Sequence, residues 1–157
     1  MALKLIQGLY SFILVFATFV VSKYFTDMGL EDFYISINLP NETPDNDYFK
    51  IIWRGLYGLL FLSFYIILLS KKNIEEFEDA NMLFIMQLFL QILWTFSFFV
   101  MGQILASFIV ILGLDIVAFL MGLAFFRINK WALAIILPYY CWILFASYLN
   151  GWIVFLN

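Results

Sequence analysis

The stretch ANMLFIMQLFLQILWTFSFFVMGQILASFIVILGL, from Ala80 to Leu114, runs for 35 residues without one charged side chain. Continued to Phe126, it is too long for a single pass through a bilayer, which about 20 residues rising about 1.5 Å each suffice to cross. It must therefore turn, and Met101-Gly102-Gln103 is the place suited to a hairpin. Within its first half Gln87, Gln91, Trp94 and Phe98 fall at steps of four, three and four. That spacing puts them on one face of a helix.

Working outward, Leu5–Ser22, Gly55–Ser70 and Trp131–Asn157 are likewise free of charge. Charged residues make up 12% of the 157-residue chain and hydrophobic residues 66%, with a mean hydropathy of +1.01. Soluble domains carry roughly 25% charged residues, so no polar shell can be built here. In lipid every backbone polar group must be paired inside a helix or a closed barrel. Long unbroken apolar runs, not short alternating ones, select helices. The chain is read as an all-α integral membrane protein, a bundle of five transmembrane helices over residues 3–23, 48–70, 80–101, 103–126 and 131–155. The single membrane domain spans residues 1–157. The polar segment from Lys71 to Asp79 separates the second helix from the third, and Arg127–Lys130 the fourth from the fifth. The first helix lacks a small-residue cleavage site and is expected to be retained.

Counting only lysine and arginine, Lys4, Lys71, Lys72, Arg127 and Lys130 fall on one face of such a bundle. Lys23, Lys50 and Arg54 fall on the other. This predicts a multi-pass protein of a bacterial cell membrane with its N-terminus inside. The acidic loop over residues 25–47 is either a solvated connector or a lid over one mouth of the bundle, anchored by Phe33, Tyr34, Ile35 and Ile37.

Soluble-enzyme chemistry is nearly absent. The chain has no histidine, which removes the usual general base and the commonest metal ligand. No metal site, phosphate loop or nucleophile elbow is recognisable, and no basic patch suits nucleic acid. The single Cys141 is expected to be a small buried hydrophobe.

Intramembrane polarity remains to be explained. Gln87 and Gln91 are costly in hydrocarbon unless paired, so their face should point into the bundle. Interhelical hydrogen bonding would account for that stripe alone. On the fifth helix Pro138, Trp142, Ala146 and Leu149 share a face, with Asn150 beside it; Trp53 and Tyr57 make a further aromatic pair on the second. Three inward-capable stripes of flat aromatic faces and a few amides suit a planar aromatic ligand. Asp115, a carboxyl within a span, is either a paired interior group or a proton- or cation-linked site.

The patterns Gln87-Leu88-x-Leu90-Gln91-x-x-Trp94, Phe98-Phe99 and Pro138-Tyr139-x-x-Trp142-x-x-Phe145-Ala146-Ser147-x-Leu149-Asn150 resemble the TspO/translocator protein family, formerly the peripheral benzodiazepine receptor. The likeness runs from about Pro40 to the C-terminus. It implies a five-helix bundle in the lipid bilayer, commonly a homodimer, with a pocket beneath the first loop. That pocket accepts porphyrin-type tetrapyrroles and synthetic isoquinoline- or benzodiazepine-type ligands. Carried over by position, the ligand-binding residues are Trp53, Tyr57, Gln91, Trp94, Trp142 and Ala146, with Tyr34 in the loop; Gln87, Asp115 and Asn150 are further intramembrane polar groups. The implied function is a membrane receptor or translocator for such ligands, with porphyrin as ligand and no required cofactor. The alternative is a non-catalytic structural or regulatory membrane protein whose polar stripe serves helix packing. Light-dependent porphyrin breakdown, also implied by the resemblance, would here run through the ligand's own photochemistry and nearby tryptophans.

Departures from the family pattern are specific. Glu42 stands where a loop tryptophan is usual, Ile51 where a proline is common, and Gln91 where an asparagine is. Val110 replaces a usual aspartate, and Asp115 lies five residues further on. No basic residue follows Tyr148, so the sterol-recognition pattern of animal members is missing. The floor of the pocket is thus expected to keep the family's contacts better than its lid.

Overall fold

The computed structural model describes residues 2–70 and 73–157. Five helices among these residues are long and apolar enough to cross a membrane, and no strand occurs among them. They are α1 (Ala2–Glu31), α2 (Asn46–Leu69), α3 (Ile74–Thr95), α4 (Ile104–Ile128) and α5 (Lys130–Leu156). A π-helical turn, Phe96–Val100, extends α3, and a 3-10 turn, Tyr34–Ser36, lies in the first loop. The chain is an all-α, multi-pass integral membrane protein. Lys71 and Lys72, which the orientation count uses, lie outside the described residues.

Helix α1 packs on α2, α2 on α5, α5 on α4 and α4 on α3, while α3 and its π turn close back on α1. The helices thus follow the order 1-2-5-4-3 round a ring. The hairpin between α3 and α4 falls at the expected place, where Gly102 adopts φ +62°. A side chain in that left-handed conformation is strained, and the Phe33 ring would lie 3.2 Å from its Cβ.

Two helix limits differ from the sequence reading for one physical reason: hydropathy marks the edge of the lipid, not the end of the helix. Helix α1 continues past residue 23 to Glu31 and takes up the first part of the acidic loop. Lys23 and Asp27 pair at i,i+4 on it, an arrangement that favours helix beyond the hydrocarbon. Its last turns lie directly on the π turn, since a Cβ on Gly29 would sit 2.2 Å from the Phe99 carbonyl oxygen. Helix α3 begins at Ile74 rather than residue 80. The Asn73 side chain accepts from the Glu76 N–H at 2.7 Å, and Glu75 and Glu76 occupy the positive end of the helix dipole.

The bundle has two ends of different character. Far from the first loop, Phe64, Phe84 and Phe125 from α2, α3 and α4 stack, with the Phe64 and Phe84 centroids 3.9 Å apart. Side chains here also tie helices to backbone: the Ser63 hydroxyl donates to the Ala132 carbonyl at 2.8 Å and the Gln7 amide to the Leu68 carbonyl at 2.9 Å. At the loop end, Phe33, Tyr34 and Ile37 pack on Phe98 and Phe99. Ile35, expected among these anchors, is exposed instead, because the 3-10 turn puts Tyr34 and Ile37, three residues apart, on its inner side and leaves Ile35 and Ser36 outside. Asn38 and Asn157 strap the loop to the end of α5. The Asn38 N–H donates to the Asn157 side-chain oxygen at 2.9 Å, and the Asn157 amide donates to the Asn38 carbonyl at 3.0 Å.

Candidate functional site

The stripe of α3 is buried along its length: Gln87, Gln91, Trp94 and Phe98 are each at most 3% exposed. Its partner face on α5 is the expected one only in part: Ala146 and Leu149 are buried, but Trp142 and Pro138 are not. Counting from buried Ala146, Trp142 lies about 40° round the helix and Pro138 about 80°. Accordingly Trp142 is half-buried and Pro138 exposed. The inward positions are Tyr139, Ile143, Ala146 and Asn150, at steps of four, three and four. Cys141, expected to be buried, is exposed. It is two residues past Tyr139 and so on the opposite, lipid-facing side of α5.

Tyr139 is the hub joining the two faces. Its hydroxyl accepts from the Gln87 amide at 2.5 Å and donates to the Gln91 side-chain oxygen at 3.2 Å. One turn nearer the loop, the Trp94 indole donates to the Asn150 side-chain oxygen at 3.2 Å, and the Asn150 amide donates to the Ala146 carbonyl at 2.9 Å. Gln87, Gln91 and Asn150 thereby cross-link α3 and α5 and hold the Trp94 ring in place.

Around this cross-link lie two cavities. The first, about 50 Å³ between α1, α2 and α3, is lined by Trp53, Tyr57, Gln91 and Trp94 together with the cations Lys23, Lys50 and Arg54. The second, about 30 Å³ beneath the loop, is lined by Tyr34, Thr43, Trp94, Phe98, Ala146 and Asn150. Phe49 and Trp94 line both and form the wall between them. Six of the seven positions carried over by resemblance therefore border these cavities. Trp142 lines neither, although its ring lies 6.3 Å from that of Phe49.

Polar groups are left over at this end. The indole nitrogens of Trp53 and Trp142 and the Tyr57 hydroxyl are buried without a hydrogen-bond partner in the protein. The Tyr57 and Ser22 hydroxyls face each other without meeting the geometry of an ordinary hydrogen bond. Such groups cost free energy unless something pairs with them. Burial raises the Tyr34 phenol, in the loop, above its ordinary value. Glu42, in the place of the usual loop tryptophan, is exposed and covers nothing. The covering ring is Phe49, which meets Trp53 edge-on at 6.0 Å.

Asp115 lies apart from both cavities. Its Oδ2 accepts from the Ser147 hydroxyl at 2.6 Å, in a groove between α4 and α5 also lined by Phe108, Leu112 and Tyr148. Among the described residues no cluster of three potential metal ligands occurs.

Phe49, Tyr139, Lys23, Lys50 and Arg54 border the site without being among the residues expected to bind there. Tyr139 could have been found by extending the Ala146–Asn150 spacing backwards. Lys23, Lys50 and Arg54 were visible only as charges near the loop.

The family model described as "TspO/MBR family" matches residues 11–156. The chain is 34% identical over 133 residues to the Tryptophan-rich protein TspO of Chlorobaculum tepidum, covering 85% of this chain and 84% of that one. It is 33% identical over 147 residues to the protein of the same name from Archaeoglobus fulgidus, covering 94% of each. A Tryptophan-rich sensory protein of Cereibacter sphaeroides is 27% identical over 120 residues, covering 76% of this chain and 73% of that one. Five apolar helices, the buried glutamine and tryptophan stripe of α3 and a match spanning nearly the whole sequence lead to one conclusion: the chain belongs to the TspO/MBR family.

Proposed function

We propose that this protein is a membrane receptor or translocator that binds porphyrin-type tetrapyrroles, or similar planar apolar molecules, at the loop end of the bundle. One observation carries the reading: two aromatic cavities share a wall of two rings, Phe49 and Trp94, and are bordered by buried polar groups without partners. At about 50 and 30 Å³ each is far below the roughly 300–1,000 Å³ of a small-molecule pocket. The described state is therefore closed to a tetrapyrrole, and binding requires the shared wall to move. Trp94 is held by Asn150 while Phe49 is half-buried with no polar tether, so Phe49 is the ring that swings. The ligand would then stack on Trp53 and Trp94, with the Gln91 amide nitrogen as donor; Trp142 enters the site only once Phe49 has moved.

The measurement is saturable quenching of tryptophan fluorescence by protoporphyrin in nanodiscs, in the dark and in light. Phe49→Ala is expected to tighten binding about tenfold by removing the cost of opening, and Trp53→Ala to weaken it by at least as much. Equal affinities in wild type and both variants would sink the assignment.

A second reading, a structural or regulatory membrane protein, draws support from the Gln87–Tyr139–Gln91 hydrogen bonds, which need no ligand. It explains Gln87 but not the unpartnered indoles. A bacterial cell membrane, an inside N-terminus and a homodimer complete the proposal, on the resemblance and the lysine and arginine count.

A further inference from the structure

Outside the loop-end cavities, the bundle carries a second opening onto the first of them. A groove of about 490 Å³ runs between α1 and α2, walled by Phe12, Phe16, Phe19, Tyr57 and Phe61. It faces the side of the bundle, where Phe12 and Phe16 are exposed. Three of its residues, Phe19, Arg54 and Tyr57, also line the 50 Å³ cavity inside. The partition between groove and cavity is thus an edge-on contact of two rings, Phe19 and Tyr57, with centroids 5.3 Å apart. Behind it lie the Tyr57 hydroxyl and the Trp53 indole nitrogen, both without partners.

The charges at this place are unbalanced. Lys23 pairs with Asp27, and Lys50 lies 3.8 Å from the same carboxylate. Among the described residues no carboxylate pairs with Arg54, the one charged side chain of the groove. Arg54 sits about two turns into α2, a depth from which a long side chain reaches the membrane surface. Its planar guanidinium matches a carboxylate with two parallel hydrogen bonds. An unpaired guanidinium beside an aromatic slot of this volume complements an apolar ring system with a carboxylate on its rim.

We propose that the α1–α2 groove is a side entrance from the bilayer for planar aromatic carboxylates, and that Arg54 is the tether that receives the carboxylate as the ring system passes Phe19 and Tyr57. This rests on the loop-end binding reading and adds to it a route from the bilayer and the residue that receives the carboxylate.

The test uses the full chain in nanodiscs of zwitterionic lipid, with protoporphyrin and its dimethyl ester as probes, followed by stopped-flow tryptophan quenching. Arg54→Gln is expected to weaken the dicarboxylate roughly tenfold and leave the ester unchanged, with Arg54→Lys recovering part of the loss. Gly58 lines the groove, and a Cβ built on it meets nothing within 4 Å, so a side chain at Gly58 starts in open space and Gly58→Phe narrows the groove. That variant is expected to slow association of both probes about tenfold. If both probes bind but Arg54→Gln treats them alike, the tether is overturned while the loop-end pocket stands. Wild-type association rates in Gly58→Phe would overturn the entrance. If anionic phospholipid in the nanodisc abolishes the Arg54 dependence, the residue is a lipid anchor and the proposal fails. Should neither probe quench saturably, the binding reading falls and the entrance with it.

Discussion

The two ends of the bundle are built from similar residues and do opposite things with them. Away from the loop, three phenylalanines stack, and hydroxyls and amides find partners in backbone carbonyls or in one another, as Asn129 does in the Ser70 hydroxyl at 2.9 Å. Toward the loop, aromatic rings meet at angles, enclose two cavities and leave indole and phenol groups unpartnered. The apolar driving force does not separate these ends, because lipid tails are as apolar as the side chains. What separates them is packing. Stacked rings without polar atoms can close completely, whereas tryptophan and tyrosine bring a polar handle that close packing alone cannot satisfy. The ends therefore differ in unpaired polar groups rather than in empty space, since an apolar cavity of about 130 Å³, lined by Ala118, Gly122, Leu133 and Ile136, lies between α4 and α5 away from the loop.

The sharpest way to break this contrast is to remove a ring from the far stack. Phe64→Ala removes one of the two rings in closest contact, 3.9 Å apart, and the cavity left should cost about 3–5 kcal/mol, read by reversible unfolding in bicelles. Phe49→Ala at the loop end should cost less than about 1 kcal/mol in the same assay, since its ring already borders two cavities. Equal costs would mean that the two ends are packed alike.

A smaller effect tests the cross-link between them. Gln87→Leu deletes the donor to Tyr139 and also an amide oxygen that has no partner. The two changes oppose each other, and the net loss should be about 1 kcal/mol or less. A loss of several kcal/mol with no change in ligand affinity would favour the structural reading of the stripe.

The smallest effect concerns the lid. Burial raises the Tyr34 phenol above its ordinary 10.0, so the docked loop prefers the neutral form. Its contribution is complete below about pH 10 and is lost as pH rises through the raised folded value. Hydrogen exchange of residues 33–39 should accelerate in that alkaline range, and Tyr34→Phe should remove the dependence.

Much of this was legible in the sequence. The uncharged run forced a hairpin, and Gly102 marks it because only its φ of +62° closes the turn easily. The α3 stripe was readable because buried amides must face partners. The α5 face read through Pro138, Trp142, Ala146 and Leu149 holds at Ala146 and Leu149; the four–three–four spacing through Tyr139 and Asn150 gives the rest of it. Phe49 and Arg54 were not legible as site residues, because their roles depend on α2 lying between α1 and α5 in the ring. That order is set by long-range packing, which no local spacing encodes.

The π turn at the end of α3 acts as a change of phase in a screw thread. Its bond from the Met101 N–H to the Phe96 carbonyl, 3.0 Å, fits one more residue into a turn than an α-helix holds. Phe98 and Phe99 within it are both buried, at positions shifted from those that a regular helix would give them. Below the turn α3 keeps the register that cross-links it to α5; above it the same strand of chain is rotated to meet α1 at Gly29. A single helix thereby serves two neighbours whose directions differ by about one residue's rotation, roughly 100°.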